Sequence, residues 1–130
     1  MQNRFIAKLL IIDDDPALCD SLSLLLEPQD FIVYSTTSGT EGIRLCREIQ
    51  PDVIILDLLM PGVDGWDVAR QIRQFSAVPI IVLSAVSKPD LIAKALDEGI
   101  DDYLIKPISG AVLAAHLKRI THRAREITNL

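Results

Sequence analysis

The sequence contains few of the residues that build zinc sites or disulfide frameworks. There are 2 cysteines and 2 histidines among 130 residues, and Cys19 and Cys46 do not form a C-x-x-C pair. Structural zinc needs clustered cysteine and histidine, and disulfide scaffolds need many closely spaced cysteines. We therefore expect two reduced, buried thiols in a cytoplasmic protein.

Positive charge and long apolar segments are also scarce. Lys and Arg number 13 against 18 Asp and Glu, which gives a formal net charge of −5 at pH 7. Binding to nucleic acid depends on concentrated positive charge, so direct nucleic-acid binding by this chain is not expected. The longest apolar runs, such as VIIL, have the length of strands and cannot span a bilayer. The N-terminal MQNRFIAK lacks the apolar core of a signal peptide, so no membrane association is expected.

Short apolar runs alternate five times with segments of helical character. The runs predict strands at 7–12, 31–35, 53–56, 78–83 and 103–105. Runs that are apolar on both faces and are joined by helices indicate a parallel sheet covered on both sides. We therefore expect an α/β fold, a doubly wound five-stranded parallel sheet, in a single domain over residues 1–130 with its core at about 8–120.

Capping and turn residues place the helices between these strands. Asp15-Pro16, Ser38 and Ser109 each predict a helix start, and Gly99 predicts the end of the fourth helix. The third helix is predicted from Trp66 to about Phe75. The segment MPGVDG before it is rich in turn residues and predicts a loop.

Four of the five predicted strands run into candidate site residues, whereas the second runs into Ser35-Thr36-Thr37, as an outer strand would. The first strand runs into Asp13-Asp14-Asp15, and the third, fourth and fifth run into Asp57, Ser84 and Lys106. The carboxyl ends of parallel strands meet at one edge of the sheet, where ligands bind in such folds. Carboxylates this close repel one another, so the arrangement predicts positive charge shared among them.

Charge balance favours a divalent cation at this edge. Asp13, Asp14 and Asp57 carry three negative charges, and Lys106 supplies one positive charge. Mg²⁺ suits a site with a few carboxylates, several waters and an incoming phosphate. The sequence offers neither the clustered histidine and cysteine of zinc sites nor the ligand spacing of an EF-hand. We therefore expect Mg²⁺, or Mn²⁺ in its place.

The segments LLIIDDDPAL, PDVIILDLLMPGVDGWDV, VPIIVLSA and GIDDYLIKPI form four blocks along the chain. In order and spacing these blocks resemble the signature of the bacterial response regulator receiver domain of two-component signalling. The resemblance extends from about Lys8 to Ile120. It implies a flavodoxin-like (βα)5 fold with strand order 2-1-3-4-5. It also implies a phosphorylation-activated switch, an enzyme only in its own phosphorylation and slow autodephosphorylation.

The resemblance assigns roles to the residues at the sheet edge. Asp57 is implied to accept a phosphoryl group from a kinase phosphohistidine, and Lys106 to contact both its carboxylate and the phosphoryl oxygens. The Ser84 hydroxyl is implied to bind the phosphoryl group after transfer, while Tyr103 changes rotamer with it. The bond between Lys106 and Pro107 is expected to be cis.

The resemblance also implies a set of metal ligands. Asp14 is a direct ligand, Asp13 acts through a water, and Asp57 shares the metal as the acceptor. The backbone carbonyl of Leu59 is a further ligand. Leu59 and Val86 stand two residues beyond Asp57 and Ser84, where side chains of the family flank the attacking water. Both are apolar and cannot orient that water, so slow self-hydrolysis is expected.

The implied partners are a sensor histidine kinase or a phosphotransfer protein. A further partner or output domain would read the surface of the fourth helix, fifth strand and fifth helix, and a homodimer through that surface is also expected. The last helix carries a heptad-like stripe formed by Leu113, Leu117, Ile120, Ala124 and Ile127. The stripe predicts either packing on the sheet with a frayed end, or a helix whose residues 121–130 lead into a dimer or an output domain.

Two other functions fit parts of the pattern. Asp13-x-Asp15 resembles the D-x-D motif of haloacid dehalogenase-type phosphohydrolases. However, Pro16 stands where threonine or valine is expected, and the acidic pair Asp101-Asp102 precedes Lys106 instead of following it. A receiver-like scaffold that is never phosphorylated is the third interpretation, and it is disfavoured because every expected site residue is present.

Overall fold

Strand and helix alternate in a computed structural model that describes residues 5–128. Side-chain surroundings are described over the same range except at residue 63 and residues 124–128. The strands of the main sheet are Ala7–Ile12 (β1), Phe31–Thr36 (β2), Val53–Leu56 (β3), Ile80–Ser84 (β4) and Asp102–Ile105 (β5). The α-helices are Pro16–Leu26 (α1), Gly39–Ile49 (α2), Gly65–Arg73 (α3), Pro89–Asp97 (α4) and Gly110–Thr128 (α5). A short 3-10 helix, Glu27–Gln29, follows α1.

The main sheet is parallel throughout, and its strand order is β2-β1-β3-β4-β5. Every residue of β3 and β4 is buried, because both strands are covered on two faces. The outer strand β2 leaves Ile32 and Tyr34 exposed. The predicted fold class and strand order are therefore confirmed.

Helices cover both faces of the sheet. Leu22 of α1 and Leu117 of α5 join the core under one face. Cys46 of α2, Val68 of α3 and Ala95 of α4 join the core under the other. Both cysteines are free and buried, as predicted. The two cores fix β1, β3 and β4 in the middle layer, and thus fix the edge where their carboxyl ends meet.

The predicted capping residues are found at the helix ends. Side-chain oxygens of Asp15, Ser38 and Ser109 each accept a hydrogen bond from a backbone N–H in the first turn of a helix. Gly99 follows α4 with φ of 98°, a conformation that glycine adopts without strain. The helix starts therefore follow from local sequence.

The segment predicted as a plain loop is partly ordered as strand. Leu59–Met60 and Val63–Asp64 form a two-stranded antiparallel hairpin. Pro61 and Gly62 occupy its turn, and the φ of 74° at Gly62 suits glycine at this position. The hairpin returns the chain to the end of β3, which brings the start of α3 close to Asp57.

Other boundaries also differ from the prediction, by one or two residues: β2 and β4 each end one residue later and β5 begins one residue earlier. β4 begins at Ile80 instead of Val78, because Pro79 has no N–H to donate to the strand ladder. α3 ends at Arg73 instead of Phe75, since the following residues bond three positions back and tighten the last turn.

The last helix supports the packing interpretation for the first part of its stripe. Leu113 and Leu117 are buried, and Ile120 packs against the same core. The side chains of Ala124 and Ile127 lie outside the described residues. No helix within residues 5–128 is both long enough and apolar enough to cross a bilayer.

Candidate phosphoacceptor site

The carboxyl ends of the strands bring the predicted polar residues to one edge of the sheet. The N–H of Asp57 donates to the carbonyl of Ile12 at 3.0 Å, so the acceptor candidate lies beside the aspartate segment. The N–H of Lys106 donates to the carbonyl of Ser84 at 2.8 Å. These hydrogen bonds continue the strand ladder past the ends of the strands. They bring Asp57 beside the aspartate segment and Lys106 beside Ser84.

Asp13 is buried, and both of its carboxylate oxygens are engaged. Oδ1 accepts from the N–H of Asp15 at 3.0 Å, and Oδ2 accepts from Nζ of Lys106 at 2.9 Å. The residue is only 1% exposed, and a buried carboxylate is stable only with such partners. Asp13 is thus held in place at the end of β1.

Asp57 is nearly as buried, at 5% exposure, but it is less well compensated. Oδ1 accepts from the N–H of Leu59 at 3.1 Å, and Oδ2 lies 3.5 Å from Nζ of Lys106. Burial raises the pKa of Asp57, and the Leu59 N–H and the Lys106 charge offset this only in part. The carboxylate is therefore more basic than an exposed one, and the single charge of Lys106, which Asp13 shares, compensates it only in part.

Lys106 lies between the two buried carboxylates. Burial alone would lower the pKa of Lys106, but its hydrogen bond to Asp13 and the charges of Asp13 and Asp57 raise it above the ordinary value. The side chain is therefore a cation at neutral pH. From this position the ammonium can stabilise negative charge on the Asp57 carboxylate and on a group bound next to it.

The acidic residues of the site could hold a metal ion. Asp13, Asp14 and Asp57 each offer a carboxylate oxygen, and these oxygens lie within 4.8 Å of one another. Oxygen donors of this kind fit Mg²⁺ or Mn²⁺, and a divalent cation would balance the charge that Lys106 alone leaves uncompensated. The backbone of Leu59 lies beside this cluster, because its N–H donates a hydrogen bond to Asp57. Its carbonyl stays a predicted ligand.

Ser84 and Tyr103 are connected through the backbone of Val86. Oγ of the fully buried Ser84 accepts from the N–H of Val86 at 3.2 Å, and the hydroxyl of Tyr103 donates to the carbonyl of Val86 at 2.7 Å. The sequence indicated a role only for the Val86 side chain, because no residue pattern signals a backbone bridge. Nearby, the bond between Lys106 and Pro107 is cis.

Asp15 does not join the acidic cluster. Its Oδ1 accepts from the N–H groups of Ala17 and Leu18 at 3.0 and 3.2 Å. The residue therefore caps α1, as its position before a proline predicts. A D-x-D hydrolase would need this carboxylate at the reaction centre. Here the first turn of α1 binds it instead.

The chain is similar in sequence to known response regulators. The family model of the response regulator receiver domain matches residues 9–118. The transcriptional regulatory protein AfsQ1 of Streptomyces coelicolor is 41% identical over 122 residues, which cover 93% of this chain and 54% of the relative. The DNA-binding response regulator MtrA of Mycolicibacterium smegmatis is 35% identical over 111 residues, covering 85% and 49%. The chain thus spans about half the length of these curated relatives.

Solved structures are similar over nearly the whole chain. A two-component response regulator from Clostridium difficile superposes with a TM-score of 0.87 at 32% identity, covering 91% of this chain and 98% of that one. A response regulator receiver domain protein from Clostridium thermocellum gives 0.87 at 30% identity, covering 94% and 99%. With its acidic edge, its lysine and its sheet topology in place, the chain belongs to the receiver domains of bacterial response regulators in two-component signalling, which are not classical enzymes.

Proposed function

We propose that this receiver domain is switched by phosphorylation of Asp57, with a sensor histidine kinase or a phosphotransfer protein as the donor. The observation that carries the proposal is the ammonium of Lys106, which lies 2.9 Å from Asp13 and 3.5 Å from Asp57. Two buried carboxylates sharing one cation are costly for stability alone. The uncompensated negative charge of this arrangement can bind a divalent cation, which in turn attracts a phosphoryl group.

The transfer step is a displacement at phosphorus. An oxygen of Asp57 forms a bond to phosphorus while the P–N bond of the phosphohistidine breaks. The bonding electrons return to the ring nitrogen, so a neutral imidazole leaves when its other nitrogen carries a proton. The product is an acyl phosphate, whose lability suits a signal that must decay.

The carboxylates of Asp13, Asp14 and Asp57 would hold the metal ion, with the Leu59 carbonyl as a further ligand. When bound, Mg²⁺ or Mn²⁺ supplies positive charge that reduces repulsion between the acceptor and the phosphoryl oxygens. Lys106, which is bonded to Asp13, adds positive charge that reduces the same repulsion. The residues of this chain therefore hold the acceptor ionised and aim it.

Conversion to the active state would pass through Val86. When the Ser84 hydroxyl turns to donate to the phosphoryl group, it no longer accepts from the Val86 N–H. The Tyr103 hydroxyl donates a hydrogen bond to the carbonyl of Val86, so a movement of Val86 also changes the contact that holds the Tyr103 ring. Phosphorylation in this account shifts an existing equilibrium between two arrangements of the Val86 segment.

The surface read by a partner is proposed to be that of α4, β5 and α5. Among the side chains that the structure describes, each element carries one exposed large apolar residue, and these are Leu96, Ile105 and Val112, at 46%, 42% and 47% exposure. Exposed aliphatic groups suit contact with a second copy or with an output domain. The names of the relatives, a transcriptional regulatory protein and a DNA-binding response regulator, favour an output in transcription. A cytoplasmic location is part of the proposal.

Phosphate uptake tests the proposal. The chain is incubated with acetyl phosphate and Mg²⁺, and intact mass spectrometry then compares it with Asp57→Asn and with a sample treated with EDTA. The proposal expects one phosphoryl group on the unmodified chain and none in the other two samples. Turnover of a generic phosphatase substrate that requires Asp13 instead of Asp57 would favour the dehalogenase-type function. No uptake from any donor would favour the scaffold.

A further inference from the structure

Gly65, the first residue of α3, lies against the backbone that carries Asp57. Its N–H donates to the carbonyl of Leu58 at 3.3 Å. The hairpin makes this approach possible, because Leu59 pairs with Asp64 and returns the chain to the end of β3. The segment from Asp57 to Gly65 therefore closes on itself, with the start of α3 resting on the acceptor peptide.

A side chain at position 65 does not fit this arrangement. An ideal Cβ on Gly65 would lie 2.6 Å from Cα of Leu58, 2.7 Å from the carbonyl oxygen of Asp57 and 2.9 Å from that of Leu58. Carbon atoms in ordinary contact stay about 3.5 Å apart or more. All three atoms belong to the backbone and cannot rotate away. An added methyl group must therefore move either the peptide between Asp57 and Leu58 or the start of α3 that rests on it.

We propose that Gly65 is a positioning residue for the acceptor site. Its missing side chain lets α3 press on the Asp57–Leu58 peptide and so sets where the Asp57 carboxylate and the Leu59 backbone stand. The link to the carboxylate is direct, since the N–H of Leu59 donates to Oδ1 of Asp57 at 3.1 Å. The role in phosphoryl transfer rests on the proposed function, whereas the role in placing the acidic cluster does not.

Gly110 offers a matched comparison, because it is the first residue of α5. A Cβ there would lie 2.4 Å from Cδ2 and 2.6 Å from Cδ1 of Leu25. Those atoms form the end of a flexible side chain that is 38% exposed and can turn toward solvent. Gly65→Ala and Gly110→Ala therefore make the same change at the same helix position, but only the first presses on backbone.

The experiment measures Mg²⁺ affinity by titration calorimetry and the rate of phosphorylation by acetyl phosphate in both variants and the unmodified chain. We expect Gly65→Ala to bind Mg²⁺ about tenfold more weakly and to react about tenfold more slowly, because small displacements of a reacting group are costly. Gly110→Ala should stay within about twofold of the unmodified chain in both measurements. Equal affinity and rate in all three proteins would overturn the proposal.

A second pair of variants covers the case in which Gly65→Ala does not fold. Asp64→Ala removes the acceptor of the Trp66 N–H, a bond of 2.9 Å, and loosens the first turn of α3 without adding volume. Asp67→Ala removes an exposed carboxylate that pairs with Arg70 in the same helix. A larger loss of Mg²⁺ affinity in Asp64→Ala than in Asp67→Ala supports the proposal. Equal losses overturn it.

The two readouts separate this inference from the proposed function. If the unmodified chain binds Mg²⁺ but takes up no phosphate, the proposed function fails, while weaker Mg²⁺ binding by Gly65→Ala still supports the positioning role. If the unmodified chain is phosphorylated on Asp57 and Gly65→Ala matches it in both measurements, only the positioning role fails.

Discussion

Nζ of Lys106 lies 2.9 Å from Oδ2 of Asp13, although 93 positions of sequence separate the two residues. The same ammonium lies 3.5 Å from Asp57, so one cation serves two buried carboxylates. The contact spans the ends of β1 and β5, with β3 and β4 between them. The charge balance at Asp57 therefore depends on the relative placement of four neighbouring strands.

Removing the Lys106 ammonium should destabilise the fold in a way that Mg²⁺ corrects. In Lys106→Met the carboxylates of Asp13 and Asp57 lose their cation, and we expect the free energy of unfolding to fall by about 1–3 kcal/mol. The loss should be smaller at saturating Mg²⁺, because the metal supplies the missing charge. Urea denaturation with and without Mg²⁺ measures both values. An equal loss under the two conditions would contradict the charge account.

Neutralising Asp57 should stabilise the metal-free protein. Asp57→Asn keeps the shape of the side chain but removes a buried charge that is only partly compensated, so we expect a gain of about 1 kcal/mol without metal. Asp20→Asn, an exposed acidic position on α1, is the matched control and should change the unfolding free energy little. Thermal denaturation in EDTA distinguishes them, and a destabilised Asp57→Asn would count against the repulsion inferred at the site.

The lifetime of the phosphorylated state should depend on Leu59. This side chain is 58% exposed and cannot orient a water molecule. Leu59→Asn introduces a polar group beside the acyl phosphate, and we expect hydrolysis to become about tenfold faster. The decay is followed by intact mass after removal of acetyl phosphate, with Leu24→Asn on the exposed side of α1 as the control. An unchanged lifetime in Leu59→Asn would refute the expectation that an apolar side chain at position 59 slows hydrolysis.

The bonds that meet at Val86 should govern the mobility of its segment. Tyr103→Phe loses the hydrogen bond of 2.7 Å to the Val86 carbonyl, worth about 1 kcal/mol, so amide exchange at residues 85–88 should rise. Tyr34→Phe on the outer strand should leave those amides unchanged. Ser84→Ala should accept phosphate without the change in exchange that phosphorylation causes in the unmodified chain. If Ser84→Ala responds fully, Val86 does not couple the two residues.

The two thiols should be unreactive in the folded protein. Burial raises the pKa of Cys19 to about 11, with Asp13 adding to the effect, and burial also raises the pKa of Cys46. A raised thiol pKa means that the reactive thiolate is scarcer at neutral pH than in an exposed cysteine. Ellman's reagent at pH 8 should label neither residue until urea unfolds the chain. Rapid labelling of the native protein would contradict the burial of both side chains.

The parallel sheet and the meeting of Asp13, Asp57 and Lys106 could be predicted because apolar periodicity sets the strands, and parallel strands share one carboxyl edge. The strand order followed only from the resemblance to receiver domains. The Val86 bridge and the contact of Gly65 with the acceptor peptide could not. Both depend on the path of the backbone between elements, which the pattern of side chains does not encode. The hairpin after β3 could not be predicted either, because its turn residues fit a loop and a hairpin equally well.

Identifying the phosphorylated residue is the most direct measurement of the central claim. The chain is exposed to acetyl phosphate with Mg²⁺ and to a phosphorylated histidine kinase, and the adduct is located by mass spectrometry after trapping with borohydride. We predict one phosphoryl group, on Asp57, that is absent from Asp57→Asn and from samples containing EDTA. Phosphate on another residue, or undiminished uptake by Asp57→Asn, would contradict the account.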